Sequence, residues 1–179
     1  MVVRKAEFKQ EYLNQALQII ETGNAPEDGF GLWDGEYTGM NSAWGDLAPI
    51  ISTGILSCVN EHVGDYNTVW FETWINRVQT ERKQRYNRHN HVEINRRLNK
   101  PEPNYTWVYY LQMPNNLSGE EGKLNVEGWG NYLPTVGDLV ILDGNAYHSV
   151  FEAPNSTVDR IVIAGNVALL NNKTKRSLM

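Results

Sequence analysis

This 179-residue sequence predicts a mainly β fold with helices confined to its N-terminal part, and three observations point that way. Apolar residues recur at helical spacing only before Gly64. Beyond it, short runs of β-branched and aromatic residues follow one another as far as Ala164. Gly and Pro punctuate the gaps between those runs, a rhythm that builds a sandwich or a barrel.

From residue 6 to 22, Phe8, Tyr12, Leu13, Ala16, Leu17, Ile19 and Ile20 make one apolar helix face, with Gly23 and Pro26 as a stop signal. The Gly- and aromatic-rich stretch from Gly29 to Gly45 reads as a surface loop anchored by Phe30 and Trp33, or else as a lid over a site. Asp46 can cap a second helix that tolerates Pro49 in its first turn and ends at Gly64. Its buried stripe would be Leu47, Ile50, Ile51, Ile55, Val59 and Val63. His62, in its last turn, suits the helix dipole and reads as structural, and Cys58 as a small packed residue. The strand candidates are Val69–Val78, the nearly continuous apolar run Thr106–Met113, alternating Gly122–Glu127, Leu139–Leu142 and Arg160–Ala164. Pro134-Thr135-Val136-Gly137-Asp138 is a turn. The expected organisation is one domain over 1–179, with a helical support at 1–66 and a β core at 67–170.

Hydrophobic content of 41% and charged content of 21% are ordinary for a globular chain. No apolar run approaches the roughly 20 residues of a membrane helix, and Met1-Val2-Val3-Arg4-Lys5 lacks the apolar core of a signal peptide, so a cytoplasmic location is expected. The single cysteine excludes an intrachain disulfide and a Cys-based zinc site. Any metal must therefore be held by His and carboxylate. A net charge of −5 argues against a general nucleic-acid binder. Eight of the sixteen basic residues nevertheless fall between Arg77 and Lys100, which fits either an anionic substrate or an ordinary solvated face.

Arg88-His89-Asn90-His91-Val92-Glu93 gathers two of only four histidines with a carboxylate. In an extended chain His89, His91 and Glu93 would share one face. The distant partner is His148, so two metal sets are open: His89, His91 and His148, or His91, Glu93 and His148. Two imidazoles and a carboxylate on one side of a metal leave the other side free, the arrangement of non-haem Fe(II) oxygenases. Arg160 opens the apolar run Arg160-Ile161-Val162-Ile163-Ala164, and its planar fork suits a carboxylate. If His148 ends one strand and Arg160 opens the next, both face one cavity. Tyr109 and Tyr110 must point to opposite faces, and Trp70, Trp74 and Trp107 read as core or rim. Asp143 suits a turn in Asp143-Gly144-Asn145 better than a role orienting a ligand.

These segments together carry a resemblance. Arg88-His89-Asn90-His91, Trp107-Val108-Tyr109-Tyr110-Leu111-Gln112-Met113-Pro114, Pro134-Thr135-Val136-Gly137-Asp138, His148-Ser149-Val150 and Arg160-Ile161-Val162-Ile163 resemble the 2-oxoglutarate/Fe(II)-dependent dioxygenase superfamily, in particular the small oxygenases common in bacteriophages. The resemblance covers roughly 69–168. It implies a double-stranded β-helix (jelly roll, cupin-like) at 67–170, with Fe(II) at its mouth and 2-oxoglutarate and O2 as cosubstrates. It also implies hydroxylation with release of succinate and CO2, in the host cytoplasm if the protein is phage-encoded. By the motif, the distal ligand falls on His148 and the 2-oxoglutarate anchor on Arg160. The first arm departs from H-x-D/E; the most similar variants carry H-x-H there, which favours His89 and His91. Val162 stands where many members place a hydroxyl residue, leaving Tyr109, Tyr110 or Asn166 to share the far carboxylate. Two other readings stand beside this one: a cupin-type metal enzyme, which would not need Arg160, and a non-catalytic jelly-roll binding module. The substrate is unassigned, and exposed aromatics are compatible with a homodimer.

Overall fold

The computed structural model describes residues 1–22, 47–63, 66–78 and 86–171. The stretch from Gly29 to Gly45, the cap Asp46 and the stop residues Gly23, Pro26 and Gly64 lie outside them. The elements in order are β1 (Val2–Lys5), α1 (Gln10–Thr22), α2 (Leu47–Val63), β2 (Tyr66–Val78), β3 (Tyr86–His89), α3 (His91–Arg97), β4 (Tyr105–Gln112), β5 (Leu124–Val126), β6 (Gly130–Tyr132), β7 (Asp138–Asp143), β8 (His148–Val150) and β9 (Arg160–Asn171). All strand pairs are antiparallel. Five strands form a large sheet in the order β1-β7-β4-β9-β2, and four form a smaller one in the order β3-β8-β5-β6. No helix among the described residues is long and apolar enough to cross a membrane.

The period-two alternation of strands divides the large sheet into two faces of different use. Trp107, Tyr109 and Leu111 of β4, Leu139 and Ile141 of β7, and Ile161, Ile163 and Val167 of β9 pack in one cluster with Ala16 of α1 and Ile55 and Val59 of α2. Both N-terminal helices therefore cover this outer face. Phe8 meets Tyr109 edge to face at 5.2 Å, and burial pushes the Tyr109 hydroxyl up to about 12. The intervening residues Val108, Tyr110, Val140, Leu142, Val162 and Ala164 turn the other way and meet Leu124 and Val126 of the small sheet. Each fully buried aliphatic side chain contributes roughly 1.5–3 kcal/mol, so burial on both faces accounts for the continuous apolar run of β4.

β9 continues to Asn171, past the expected end at Ala164. Gly165 and Asn166 look like terminators in isolation, yet Gly165 pairs with both Thr73 and Trp107, and its carbonyl accepts the Thr106 hydroxyl at 2.9 Å. Neighbouring strands hold the segment extended. The expectation that residues 89 to 93 are extended is overturned, because the chain enters α3 at His91. Asn90 caps that helix by accepting the Glu93 backbone N–H at 2.8 Å. Asn90 followed three residues later by Glu93 is a helix-start signature, and Arg96 and Arg97 sit in the last turn where the dipole favours cations. His148 opens β8 and does not end a strand, since the turn at Gly144 and Asn145 runs on through Ala146 and Tyr147.

The turn before β7 is built around a buried acid. Gly137 takes a positive φ of 87°, and Asp138 accepts the Thr135 backbone N–H and the Tyr132 hydroxyl, each at 2.7 Å, while pairing with Lys5 of β1. Burial alone would raise the Asp138 pKa; the Lys5 contact and the donated hydrogen bonds outweigh it and hold the carboxyl below its usual value. A carboxylate with a depressed folded pKa adds stability above its unfolded pKa of about 3.9, and that stability fades as pH falls through the folded value. Asp138→Asn should cost about 1–3 kcal/mol in urea denaturation at pH 7, and the gap to the wild-type protein should close toward pH 3.

Candidate metal centre

Three short segments bring the histidines together. His89 is the last residue of β3 and pairs directly with His148 of β8, so the two face the same side of the small sheet. One residue further on, the turn into α3 carries His91 back over the same place. That turn is pinned by one carbonyl: Gly144 O accepts the N–H groups of His91 and Val92, both at 3.1 Å. Residue 144 must be glycine, because a Cβ there would stand 2.2 Å from the Pro103 carbonyl oxygen.

The three imidazoles offer ligand atoms that all lie within 4.8 Å of one another. Ring centroids are 4.4 Å apart for His89 and His148, 5.4 Å for His89 and His91, and 5.2 Å for the nearly parallel His91 and His148. Trp74 stacks on His91 at 5.7 Å and walls the site from β2. His91 and His148 are buried. Desolvation, followed by repulsion from the other histidines, lowers the His91 pKa well below the usual value, while the Asn166 side chain beside it pulls the other way. His148 is lowered to about 4, again chiefly by desolvation. Both rings are therefore neutral at pH 7 and keep a lone pair. For His148 the tautomer follows from geometry: Nδ1 lies 3.0 Å from the Ala146 carbonyl, which can only accept, so Nε2 carries the lone pair.

The histidines share a pocket with Trp74, Thr106, Val108, Leu124, Val150, Val162, Ala164 and Arg160. Arg160 is only 6% exposed, and among the described residues its Nε has no hydrogen-bond partner. Tyr110 is also buried, with its ring centroid 5.3 Å from the Arg160 guanidinium and its hydroxyl without a partner of good geometry. A buried donor and a buried hydroxyl at the same place leave room for an acceptor, since each costs about 1–3 kcal/mol unsatisfied.

Glu93 does not join the cluster. It lies on the first turn of α3, where its carboxylate accepts the Tyr147 hydroxyl, and His89, His91 and His148 are the metal-capable group among the described residues. The helical turn moved Glu93 off the face that an extended chain would have shared with His91. Asn166 faces inward on β9 but sits against His91, well along the strand from Arg160. His62 contacts Tyr105 at 6.1 Å, on the helix-covered side. Asp143 accepts the Asn145 N–H within its own turn. In the described part of the basic stretch, three cations are compensated: Arg88 pairs with Glu127, Arg96 with Glu102 and Arg97 with Glu93. Gly144 and Trp74 were not legible as site residues; the only sequence signal was Gly144 within its turn.

The sequence matches no family model and no curated protein. Solved structures do match. A Pseudomonas putida prolyl-4-hydroxylase aligns over 93% of this chain and 85% of its own at 15% identity, with a TM-score of 0.55. The viral collagen prolyl hydroxylase of Paramecium Bursaria Chlorella virus-1 aligns over 93% of this chain in two forms. The truncated form gives 12% identity, 88% of its own chain and a TM-score of 0.57. The 2OG complex gives 13% identity, 94% and 0.56. The chain has the jelly-roll fold. At these identities the likeness establishes the architecture, with the histidine cluster lying between its two sheets.

Two outcomes are expected. Gly144→Ala should lower stability by about 2–3 kcal/mol through overpacking against Pro103, read by chemical denaturation. In the metal-free protein, His148 takes up a proton near pH 4 when folded and near 6.5 when unfolded, so stability should fall as pH drops between those values. From pH 7 to 5 that is about 2 kcal/mol, and urea denaturation of His148→Phe at both pH values should show a correspondingly smaller loss.

Proposed function

We propose that the protein is a 2-oxoglutarate-dependent, non-haem Fe(II) oxygenase that hydroxylates its substrate with release of succinate and CO2. The observation that carries this reading is the conjunction, in one pocket, of three convergent imidazoles and a buried, under-satisfied arginine. His89, His91 and His148 would hold the iron. The donor set fits: neutral imidazoles bind divalent first-row metals, and three on one side leave open positions for cosubstrate and oxygen. A bound Fe(II) would supply the oxygen activation that no side chain provides.

The remaining work falls to the chain's own residues. Arg160 would take the far carboxylate of 2-oxoglutarate with its planar fork, helped by the Tyr110 hydroxyl in the role that Val162 cannot fill. Val108, Val162, Leu124 and Val150 give the pocket an apolar lining, which would strengthen the ion pair and exclude water. With three imidazoles and no carboxylate ligand, none of the metal's charge is cancelled, which favours a dianionic chelator. Support from outside the chain is the shared architecture with prolyl hydroxylases, one of them solved as its 2OG complex.

The three-imidazole set also suits a cupin-type metal enzyme that does not use 2-oxoglutarate; the buried Arg160 favours the first reading. Anaerobic Fe(II) titration with and without 2-oxoglutarate separates them. The oxygenase reading expects a visible charge-transfer band that needs both components, is lost in His148→Ala, and gives way to succinate when oxygen enters. Arg160→Ala should retain Fe(II) but weaken 2-oxoglutarate by about 2–4 kcal/mol, or roughly 30- to 1000-fold. Iron binding indifferent to 2-oxoglutarate would move the cupin-type reading ahead.

A further inference from the structure

Each histidine-bearing segment also carries a residue of a second, outward-facing group. Arg88 precedes His89, Tyr147 precedes His148, and Glu93 follows His91 by two positions. Strand alternation directs the histidine at position 89 inward and Arg88 outward. On that outer side the Arg88 guanidinium lies over the Tyr147 ring, 3.8 Å from its centroid, and pairs with Glu127. The Tyr147 hydroxyl donates to the Glu93 carboxylate. Glu127 closes the chain a second time, its backbone N–H reaching the Tyr147 carbonyl at 2.9 Å. Four residues thus link the end of β3, the first turn of α3, the approach to β8 and the residue after β5.

We propose that Tyr147 is a positioning residue for the metal centre, holding the three histidine-bearing segments in mutual register through its hydroxyl bond to Glu93 and its stack with Arg88. The proposal rests on reading His89, His91 and His148 as metal ligands. Two facts favour it over a purely structural role. Arg88, Glu93 and Glu127 are about half exposed or more, and exposed ion pairs contribute only about 0–1 kcal/mol to folding. The strands they join are among the shortest of the described elements: β3 has four residues and makes only two register pairs with the three-residue β8, with an irregularity between them. A weak tie of this kind changes little in global stability, but it acts where ligand placement within tenths of an ångström decides affinity.

The test is anaerobic Co(II) titration, followed by its visible ligand-field absorption, alongside thermal melting of the metal-free protein. Tyr147→Phe keeps the ring and its stack on Arg88 and removes only the hydroxyl bond. It should weaken Co(II) about tenfold, the lower end of what supporting partners of metal ligands contribute, and leave the metal-free melting temperature in place. Glu93→Gln, which keeps an acceptor for the hydroxyl, should stay near wild-type affinity, whereas Glu93→Ala should match Tyr147→Phe. Unchanged Co(II) affinity in Tyr147→Phe would overturn the clasp, as would a loss matched by an equal loss of metal-free stability. Wild-type protein that binds no Co(II) would instead overturn the metal-centre reading itself. A Glu93→Gln variant that loses the metal while Tyr147→Phe keeps it would make Glu93 a ligand and not a support.

Discussion

A strand cannot send two neighbouring side chains to the same side, and in the central strands β4 and β9 that constraint separates stability from chemistry. Trp107, Tyr109, Leu111, Ile161 and Ile163 go to the helix-covered face, where nothing but packing is asked of them. Their neighbours Thr106, Val108, Tyr110, Arg160, Val162 and Asn166 go to the inter-sheet face, which holds the pocket and its surroundings. A one-residue slip in the pairing of β4 with β9 would exchange the two sets. The long register from Tyr105 opposite Val167 to Gln112 opposite Ile161, reinforced by β7 and β2 on either side, makes such a slip costly.

The site itself is expensive to fold. Arg160 is withdrawn from water without an ion pair among the described residues, and such a charge costs several kcal/mol even after relaxation. Three imidazoles are crowded together, and two of them, His91 and His148, are kept neutral by burial and repulsion from neighbouring histidines. The apolar cluster beneath α1 and α2 offsets these costs. The same under-satisfaction makes the pocket receptive, because a ligand that binds only the folded state returns the missing interactions as stability.

The electrostatics of the surroundings are more local than the basic stretch from Arg77 to Lys100 implied. Arg88, Arg96 and Arg97 are each compensated by an acid, so the described part of that stretch is closer to a solvated, paired face than to a funnel for anions. On the proposed function, attraction of an acidic cosubstrate would fall to the buried Arg160, whose effect is concentrated by low dielectric and little screened by salt.

Composition, order and periodicity were enough to determine the class of fold, the two long helices and the long strands, since a buried strand or an amphipathic helix needs many residues of the right kind in the right rhythm. Chemistry alone restricted any metal to histidine and carboxylate, and the order of His89, His91, His148 and Arg160 pointed to the cluster. What the linear pattern could not carry was the choice between Glu93 and His89. An H-x-H-x-E run satisfies strand alternation and helix capping equally well, and only the Gly144 carbonyl, arriving from residues far along the chain, draws His91 and Val92 into a helical turn. The short strands β3, β6 and β8 have too few residues to show a period and exist because equally short neighbours pair with them across the small sheet. Tertiary structure alone brought Tyr147 to Glu93 and Asn166 to His91, because contacts of that range are fixed by sheet register and not by anything a neighbouring residue announces.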